Sequence, residues 1–255
     1  MWDTAQYLRF GDERARPFYD LLARLGADKP GLVIDMGCGP GNLTVSLAER
    51  WPSASVVGVD SSPEMIRAAQ AHDAPGLSFM RDDVRHWKPQ ALPDVIVSNA
   101  VLQWVPEHRE LLAQWAGWLP ADGWLGIQVP GNFEQPSHAI LHELAGSARW
   151  SPLLADVHLT RQSADPADYA SLLASAGCAV DVWETTYLHI LHGENPVLDW
   201  IKGTGLRPVL AVLDDEQAAE FLAEYGQRLR AAYPPRSFGT VLPFRRVFAV
   251  AHRPG

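Results

Sequence analysis

Cysteine is scarce in this chain of 255 residues: only Cys38 and Cys178 occur. Cys38 sits in a glycine-rich loop that reads as a ligand site, so a disulfide between the two is not expected. A reducing cytoplasm is therefore the expected compartment. There is no C-x-x-C pair, and the nine histidines are scattered rather than set at metal-ligand spacing. No metal is expected. No stretch reaches the roughly 20 apolar residues that a bilayer crossing needs. Met1-Trp2-Asp3-Thr4 carries no basic segment ahead of an apolar one, so no secretory signal is expected. Basic charge is also short, with 21 Lys and Arg against 30 Asp and Glu and a formal net charge of −9. Phosphate binding needs a basic face, so this balance speaks against nucleic acid as a substrate. At 47% hydrophobic and 20% charged residues, the chain has the composition of an ordinary globular protein. Its length suits one large α/β domain, with or without an inserted cap.

The most informative stretch is Leu32-Val-Ile-Asp-Met-Gly-Cys-Gly-Pro-Gly41. An apolar run ends in an acid and breaks into glycines at alternate positions. It reads as a buried parallel strand running straight into a loop with no side chains to block a ligand. Gly37, Gly39 and Gly41 can take backbone angles closed to other residues. Asn42 to Arg50 reads as a helix, so a ligand would sit at the sheet's carboxyl edge over a helix start. A dinucleotide loop has the form G-x-G-x-x-G, but here the third glycine position is Asn42 and Pro40 removes a backbone donor. Asp35 adds a negative charge beside the loop. That charge repels phosphate and attracts a cation, such as the ammonium or sulfonium of S-adenosylmethionine.

The motif resembles the first signature, D-x-G-C-G-x-G, of class I S-adenosylmethionine-dependent methyltransferases, and three further features follow at fitting spacing. Val56-Val57-Gly58-Val59-Asp60 is a second short strand ending in an acid. An acid roughly 20 residues past a nucleotide loop accepts hydrogen bonds from paired ribose hydroxyls. Asp60 alone also fits a helix cap, but Ser61 or Ser62 can fill that role. In the resemblance Ser61 contacts the donor too, and Met65 lies near the adenine. Arg81-Asp82-Asp83-Val84 closes a third strand. The resemblance gives Asp83 the adenine amine and Val84 a backbone N–H, although the residues by themselves read better as a solvated turn. A fourth strand, Asp94 to Asn99, leads into Ala100, and the resemblance puts Asn99 and Ala100 beside the donor.

Strands are expected at 32–37, 55–60, 77–81, 94–99, 124–129, 178–191 and 246–252, with helices near 12–25, 107–119 and 166–176. Such alternation gives a Rossmann-like α/β fold, a mostly parallel seven-stranded sheet with helices on both faces. That the last strand runs antiparallel beside the sixth is implied by the resemblance. Residues 1–255 are expected to form a single methyltransferase domain. Two stretches exceed what the sheet needs, about 131–165 and about 193–243, the latter with helical pieces near 195–202 and 214–232. Stretches of this length between elements usually cover or bind.

The outer segments resemble the trans-aconitate methyltransferase family: Tyr7-Leu8-x-Phe10, Leu102-Gln103-Trp104, Thr185-Thr186-Tyr187-x-His189, Asp199-Trp200-Ile201 and Thr204-Gly205-Leu206-Arg207-Pro208. The resemblance implies S-adenosylmethionine as cofactor and a small polycarboxylate as acceptor, with no obligate protein partner. Such an acceptor suits a chain without an evident nucleophile–base pair, because a carboxylate is already ionised at pH 7. Its spectator carboxylates call for guanidinium groups, which bind them through two parallel hydrogen bonds. Arg207 stands in an otherwise apolar stretch, and of the doublet Arg245-Arg246 strand alternation turns one member inward, here taken as Arg246. A surface arginine covering apolar neighbours with its stem reads Arg207 equally well. Tyr7, Trp104, Tyr187, His189 and Trp200 complete the expected pocket, with Tyr187 and His189 on one strand face. The alternatives are a methyltransferase for another small metabolite and a non-catalytic S-adenosylmethionine-binding protein.

Overall fold

The computed structural model describes residues 11–72, 74–159 and 163–255, with side chains described from residue 15 onward. Helix α1 (Gly11–Leu22) precedes β1 (Leu32–Met36), α2 (Thr44–Arg50), β2 (Ser55–Asp60), α3 (Pro63–Ala69), β3 (Leu77–Arg81) and β4 (Val95–Asn99). A single 3-10 turn, Leu102–Trp104, leads into α4 (His108–Trp118) and β5 (Trp124–Pro130). Then come α5 (Pro136–Ala145), α6 (Ser151–Leu154), α7 (Pro166–Ser175) and β6 (Ala179–Leu191). The chain closes through α8 (Pro196–Lys202), α9 (Arg207–Leu210), α10 (Asp215–Ala232) and β7 (Thr240–His252). Among the described residues no helix is long and apolar enough to cross a membrane.

The seven strands lie in one sheet in the order β3-β2-β1-β4-β5-β7-β6. Strands β1 to β5 pair in parallel, and β7 runs antiparallel to β5, from Trp124 opposite His252 to Pro130 opposite Arg246. The chain winds outward from β1 in one direction and from β4 in the other. The crevice of such a sheet lies at that reversal, beyond the carboxyl ends of β1 and β4. Apolar strands need cover on both faces. Ile34, Met36, Ile96, Leu125 and Ile127 pack with Leu112 and Trp115 of α4 in one core cluster. On the other face the end of α1 and the turn after it come close at Gly126, where an added Cβ would lie 3.1 Å from Leu25 and 3.3 Å from Leu21. Asp94 locks the start of the sheet: its Oδ2 accepts from Gly31 N at 2.7 Å and Leu32 N at 2.9 Å.

The chain divides into two compact units. The first takes in the chain as far as Pro130, α7 with the strand after it as far as Thr185, and Arg246–Gly255. The second takes in α5 and α6 together with Thr186–Arg245. Its helix α10 opens on a capping box between Asp214 and Gln217 and carries Tyr225, whose Oη donates to Ser137 O at 2.6 Å. Ser137 N in turn donates to Tyr233 Oη at 3.0 Å. Gly226 lets Asn195 come close enough to donate to its carbonyl at 3.0 Å.

Most expected elements stand within a residue or two of their places, and the differences have local causes. Helix α1 ends at Leu22 rather than residue 25, because Arg24 N and Leu25 N turn back to Leu21 O and Leu22 O in a tighter coil. Helix α2 begins at Thr44 rather than Asn42, since Gly41 has a φ of 81° that no right-handed helix admits. The last strand, expected from residue 246, begins at Thr240. Pro243 hides it in the sequence, yet Leu242, Phe244 and Arg246 are buried while Val241, Pro243 and Arg245 are half-buried, which is strand alternation. Replacing Asp94 with Ala leaves two backbone donors at the sheet's start without their acceptor. Thermal unfolding of Asp94→Ala should show a loss of about 1–3 kcal/mol, and an unchanged midpoint would deny the lock.

Candidate functional site

The loop after β1 is fixed from the end of β2. Gly37 N and Cys38 N both donate to Val59 O, at 2.7 and 3.0 Å. The Asp60 carboxylate accepts from Gly39 N at 3.0 Å through Oδ2 and from Ser62 N at 2.8 Å through Oδ1. One acid thus sets the glycine loop and the start of α3, whose N-cap is Ser62, accepting from Met65 N at 3.3 Å. The glycines differ in what they are for. A Cβ on Gly37 would come within 2.2 Å of Val101, and one on Gly41 within 2.8 Å of Phe79, so the protein's own packing requires both. Gly39, with a φ of 55°, has nothing within 4 Å of such a Cβ. There the main chain is bare toward open space, as a loop that takes a ligand against its backbone requires.

The loop's electrostatics favour a cation. Asp35 is buried and accepts from Thr44 Oγ1 at 2.7 Å. Burial pushes its pKa up to about 7, the Thr44 bond pulls it back down, and the Asp60 charge adds to the rise. Burial also raises the Asp60 pKa, while the Ser62 and Gly39 N–H groups oppose the rise. Two acids whose charged forms lack full solvation are better satisfied by a positive ligand. The Cys38 thiol is driven far above its ordinary value by burial and by both acids, which leaves it inert.

Around this loop, Ser61 is exposed, while Met65 and Val84 are buried. The Asp83 carboxylate, expected to meet an adenine amine, accepts from Arg85 through Nε at 2.9 Å and through Nη2 at 2.5 Å. That bond, the largest influence, holds its pKa at about 2. At the carboxyl edge of β4, Asn99 Oδ1 is buried with no hydrogen-bond partner. Ala100 has a φ of 58°. Its N–H donates to Gln128 O at 2.8 Å and its carbonyl accepts from Gln103 Nε2 at 2.7 Å. Strained backbone of this kind, held from both sides, clusters at functional sites.

On β5, Gln128 is fully buried, and its Oε1 accepts from Arg246 Nη1 at 3.2 Å. Of the doublet, Arg246 is buried at 5% exposure, and Arg245 is half-buried with Nη1 donating to Gly131 O. Gln128 escaped the sequence reading. The available signal was a glutamine inside the apolar run Trp124–Pro130. In the second unit, Tyr187, His189, Trp200 and Phe244 form one buried ring cluster. His189 lies 4.8 Å from Trp200 at 26° and 6.3 Å from Tyr187 at 8°, centroid to centroid, so Tyr187 and His189 do share a strand face. Arg207 is half-buried at the first turn of α9, Trp104 is 41% exposed, and Tyr7 lies outside the described residues. Among the described residues no group of three or more His, Cys, Asp and Glu side chains is gathered to hold a metal.

A bare glycine loop at the sheet's reversal, an acid closing the neighbouring strand and an antiparallel β7 beside β5 define a class I methyltransferase. Residues 7–181 match a family model described as a methyltransferase domain. The trans-aconitate 2-methyltransferase of Rhodococcus jostii is 56% identical over 254 residues, 98% of this chain and 99% of that protein. That of Streptomyces avermitilis is 54% identical over 261 residues, 99% and 97% of the two. The chain belongs to the trans-aconitate 2-methyltransferase family. Its fold is also similar to that of Haemonchus contortus phosphoethanolamine N-methyltransferase 2, solved in complex with S-adenosyl-L-methionine. The TM-score is 0.56 at 16% identity, covering 94% of this chain and 53% of that one.

Asp35 sets a pH signature. Its pKa is about 7 in the folded protein against an ordinary 3.8. Its contribution to stability is therefore full below about pH 4 and lost as pH rises through about 7. Without donor, the melting temperature of the wild type should fall across that interval relative to Asp35→Asn. Affinity for S-adenosylmethionine, measured by calorimetry, should rise from about pH 6 to about pH 8 in the wild type and stay flat in Asp35→Asn. Parallel profiles would remove Asp35 from both roles.

Proposed function

We propose that this chain transfers a methyl group from S-adenosylmethionine to a carboxylate of trans-aconitate or a similar small polycarboxylate, forming a monomethyl ester. The observation that carries the reading is the likeness to curated trans-aconitate 2-methyltransferases over nearly the whole chain, including both stretches beyond the sheet's needs. The acidic, bare-backboned loop supports it, because its ligand must tolerate two carboxylates and gains from positive charge.

When bound, the donor supplies a methyl group on a positively charged sulfur. In this reading Gly37 and Gly39 leave the backbone open to it, and Asp35 balances its charge. Asp60 keeps its two N–H bonds and uses the remaining lone pairs of its carboxylate for hydroxyls. Ser61, Met65 and Val84 border the adenine side, with Asp83 anchored by Arg85 and contributing its place in the turn. Asn99 flanks the reacting end. The acceptor carboxylate is ionised and nucleophilic at pH 7, so no side chain has to take a proton. What the chain contributes is positioning and the exclusion of water. A sulfonium and a carboxylate lose charge as they react, and a dry site favours that loss. Holding the attacking oxygen about 3 Å from the methyl carbon, in line with the bond to sulfur, supplies much of the rate.

Arg246 is the acceptor-side guanidinium of the first unit. Tyr187, His189, Trp200 and Arg207 belong to the second unit, and their part rests on the resemblance of their flanking segments, as does that of Trp104 and Tyr7. The two free, buried cysteines suit a reducing cytoplasm.

Incubation with labelled S-adenosylmethionine and a panel of small acids should give an acid that gains one methyl as a base-labile ester. Donor binding without any methylated product would favour a non-catalytic binding protein. Arg207→Ala should raise the KM of the acid at least about tenfold, the loss of a charge-assisted pair, with the donor's Kd nearly unchanged. Unaltered kinetics would take Arg207 out of the site. Asp60→Ala should weaken donor binding by at least about tenfold in calorimetry, and an unaffected Kd would dismiss its role.

A further inference from the structure

Ala100, with its φ of 58°, holds a backbone angle that a residue with a Cβ takes only at a cost. Glycine would take it freely, so in this chain other contacts must hold the turn. Two hydrogen bonds do so. The Ala100 N–H donates to Gln128 O at 2.8 Å, and the Ala100 carbonyl accepts from Gln103 Nε2 at 2.7 Å. The first is main chain to main chain, and any residue at position 128 would supply it. The second needs the side chain of Gln103. A carbonyl only accepts, so the amide atom that faces it is the nitrogen. Gln103 is 8% exposed, and its Oε1 is buried without a partner. Leu or Met would fill this place with no polar atom left stranded, so the amide is kept for the N–H that it gives. The turn lies at the carboxyl edge of the sheet, between Asn99, the last residue of β4, and the 3-10 turn Leu102–Trp104. It has little slack beyond Ala100. A Cβ on Gly37 would come within 2.2 Å of Val101, so Val101 already rests on the glycine loop.

We propose that Gln103 is a positioning residue for methyl transfer, whose bond to Ala100 O holds the left-handed turn that fixes Asn99 at the reacting end. The inference rests on the proposed function, which puts Asn99 there. Gln103 acts through the main chain rather than by touching donor or acid. Its bond makes one conformation of Ala100 the populated one, in spite of the cost of that angle. Without the bond, Ala100 relaxes toward an ordinary φ, and Asn99 shifts relative to Val101. The glycine loop stays tied to Val59 O and to the Asp60 carboxylate, so the donor still binds. What is lost is alignment, and a misplacement of about 1 Å can slow a transfer about a hundredfold.

The test is steady-state kinetics on the full-length wild type, Gln103→Met and Gln103→Glu, with S-adenosylmethionine and trans-aconitate as substrates. Donor Kd and melting temperature are measured alongside, and the kinetics are run well below the lowest melting temperature. Gln103→Met keeps the length of the side chain and removes the N–H. Gln103→Glu keeps the shape and, when ionised, turns an acceptor toward the Ala100 carbonyl. Each should lower kcat about 10- to 100-fold, with the KM of the acid and the Kd of the donor within about threefold. Should Gln103→Met fail to fold, Gln103→Glu, the closer in shape, carries the same comparison. A merely structural glutamine would lower the melting temperature alone, or lower it together with donor affinity and kcat, and either result overturns the proposal. Wild-type kcat in Gln103→Glu would overturn it too, because that side chain has no N–H to give. If the wild type methylates no acid at all, the proposed function fails and takes this inference with it. If it does and both variants keep their kcat, only this inference fails.

Discussion

The Asp60 carboxylate is the tie on which the site depends. Through one oxygen it holds Gly39 N and through the other Ser62 N, so the glycine loop after β1 and the first turn of α3 cannot move apart. Each bond to a charged group is worth about 1.5–3 kcal/mol, enough to select one conformation of a loop that glycine leaves free. The backbone bonds from Gly37 and Cys38 to Val59 O reinforce the same join. A loop so held can present bare main chain at Gly39 without any side chain of its own to keep it open. Preorganisation of this kind lowers the cost of binding, because the loop need not be ordered by the ligand.

Charge is the second constraint. The chain carries a net −9, and the acids beside the glycine loop add to a field that repels an anion at long range. Salt screens that field beyond about 8 Å. Inside, what counts is which charges are buried and how they are paired. Asp35 is buried with a hydroxyl, and Arg246 is buried with the Gln128 amide oxygen. An anion-favouring group and a cation-favouring one are thus both held by neutral polar side chains of the same sheet and loop. The two halves of a reaction between opposite charges call for that arrangement.

Much of this was legible in the sequence because it is local. The run Leu32–Gly41 announces a buried strand and a side-chain-free loop, and period and punctuation locate β2, β3, β5 and α8 nearly to the residue. The less legible parts have physical reasons. Pro243 masked six residues of β7, since a proline argues against a strand even where burial alternates cleanly around it. The sequence shows Asp83 and Arg85 two residues apart, and only coordinates reveal that their side chains pair. The three site glycines looked alike. Their neighbours are distant in sequence, Val101 for Gly37 and Phe79 for Gly41, so the separate role of Gly39 could not be read from the motif.

The sequence by itself determined the class of fold, the bare glycine loop and the acids that flank it, because hydrophobic period, glycine and chain spacing act over a few residues at a time. Tertiary structure alone decided which member of the Arg245-Arg246 doublet turns inward and which amide meets it. Arg246 and Gln128 are 118 positions apart, and only the antiparallel register of β5 and β7 brings them to 3.2 Å. Contacts of that range depend on how strands align in the folded sheet, a property that neither segment encodes alone.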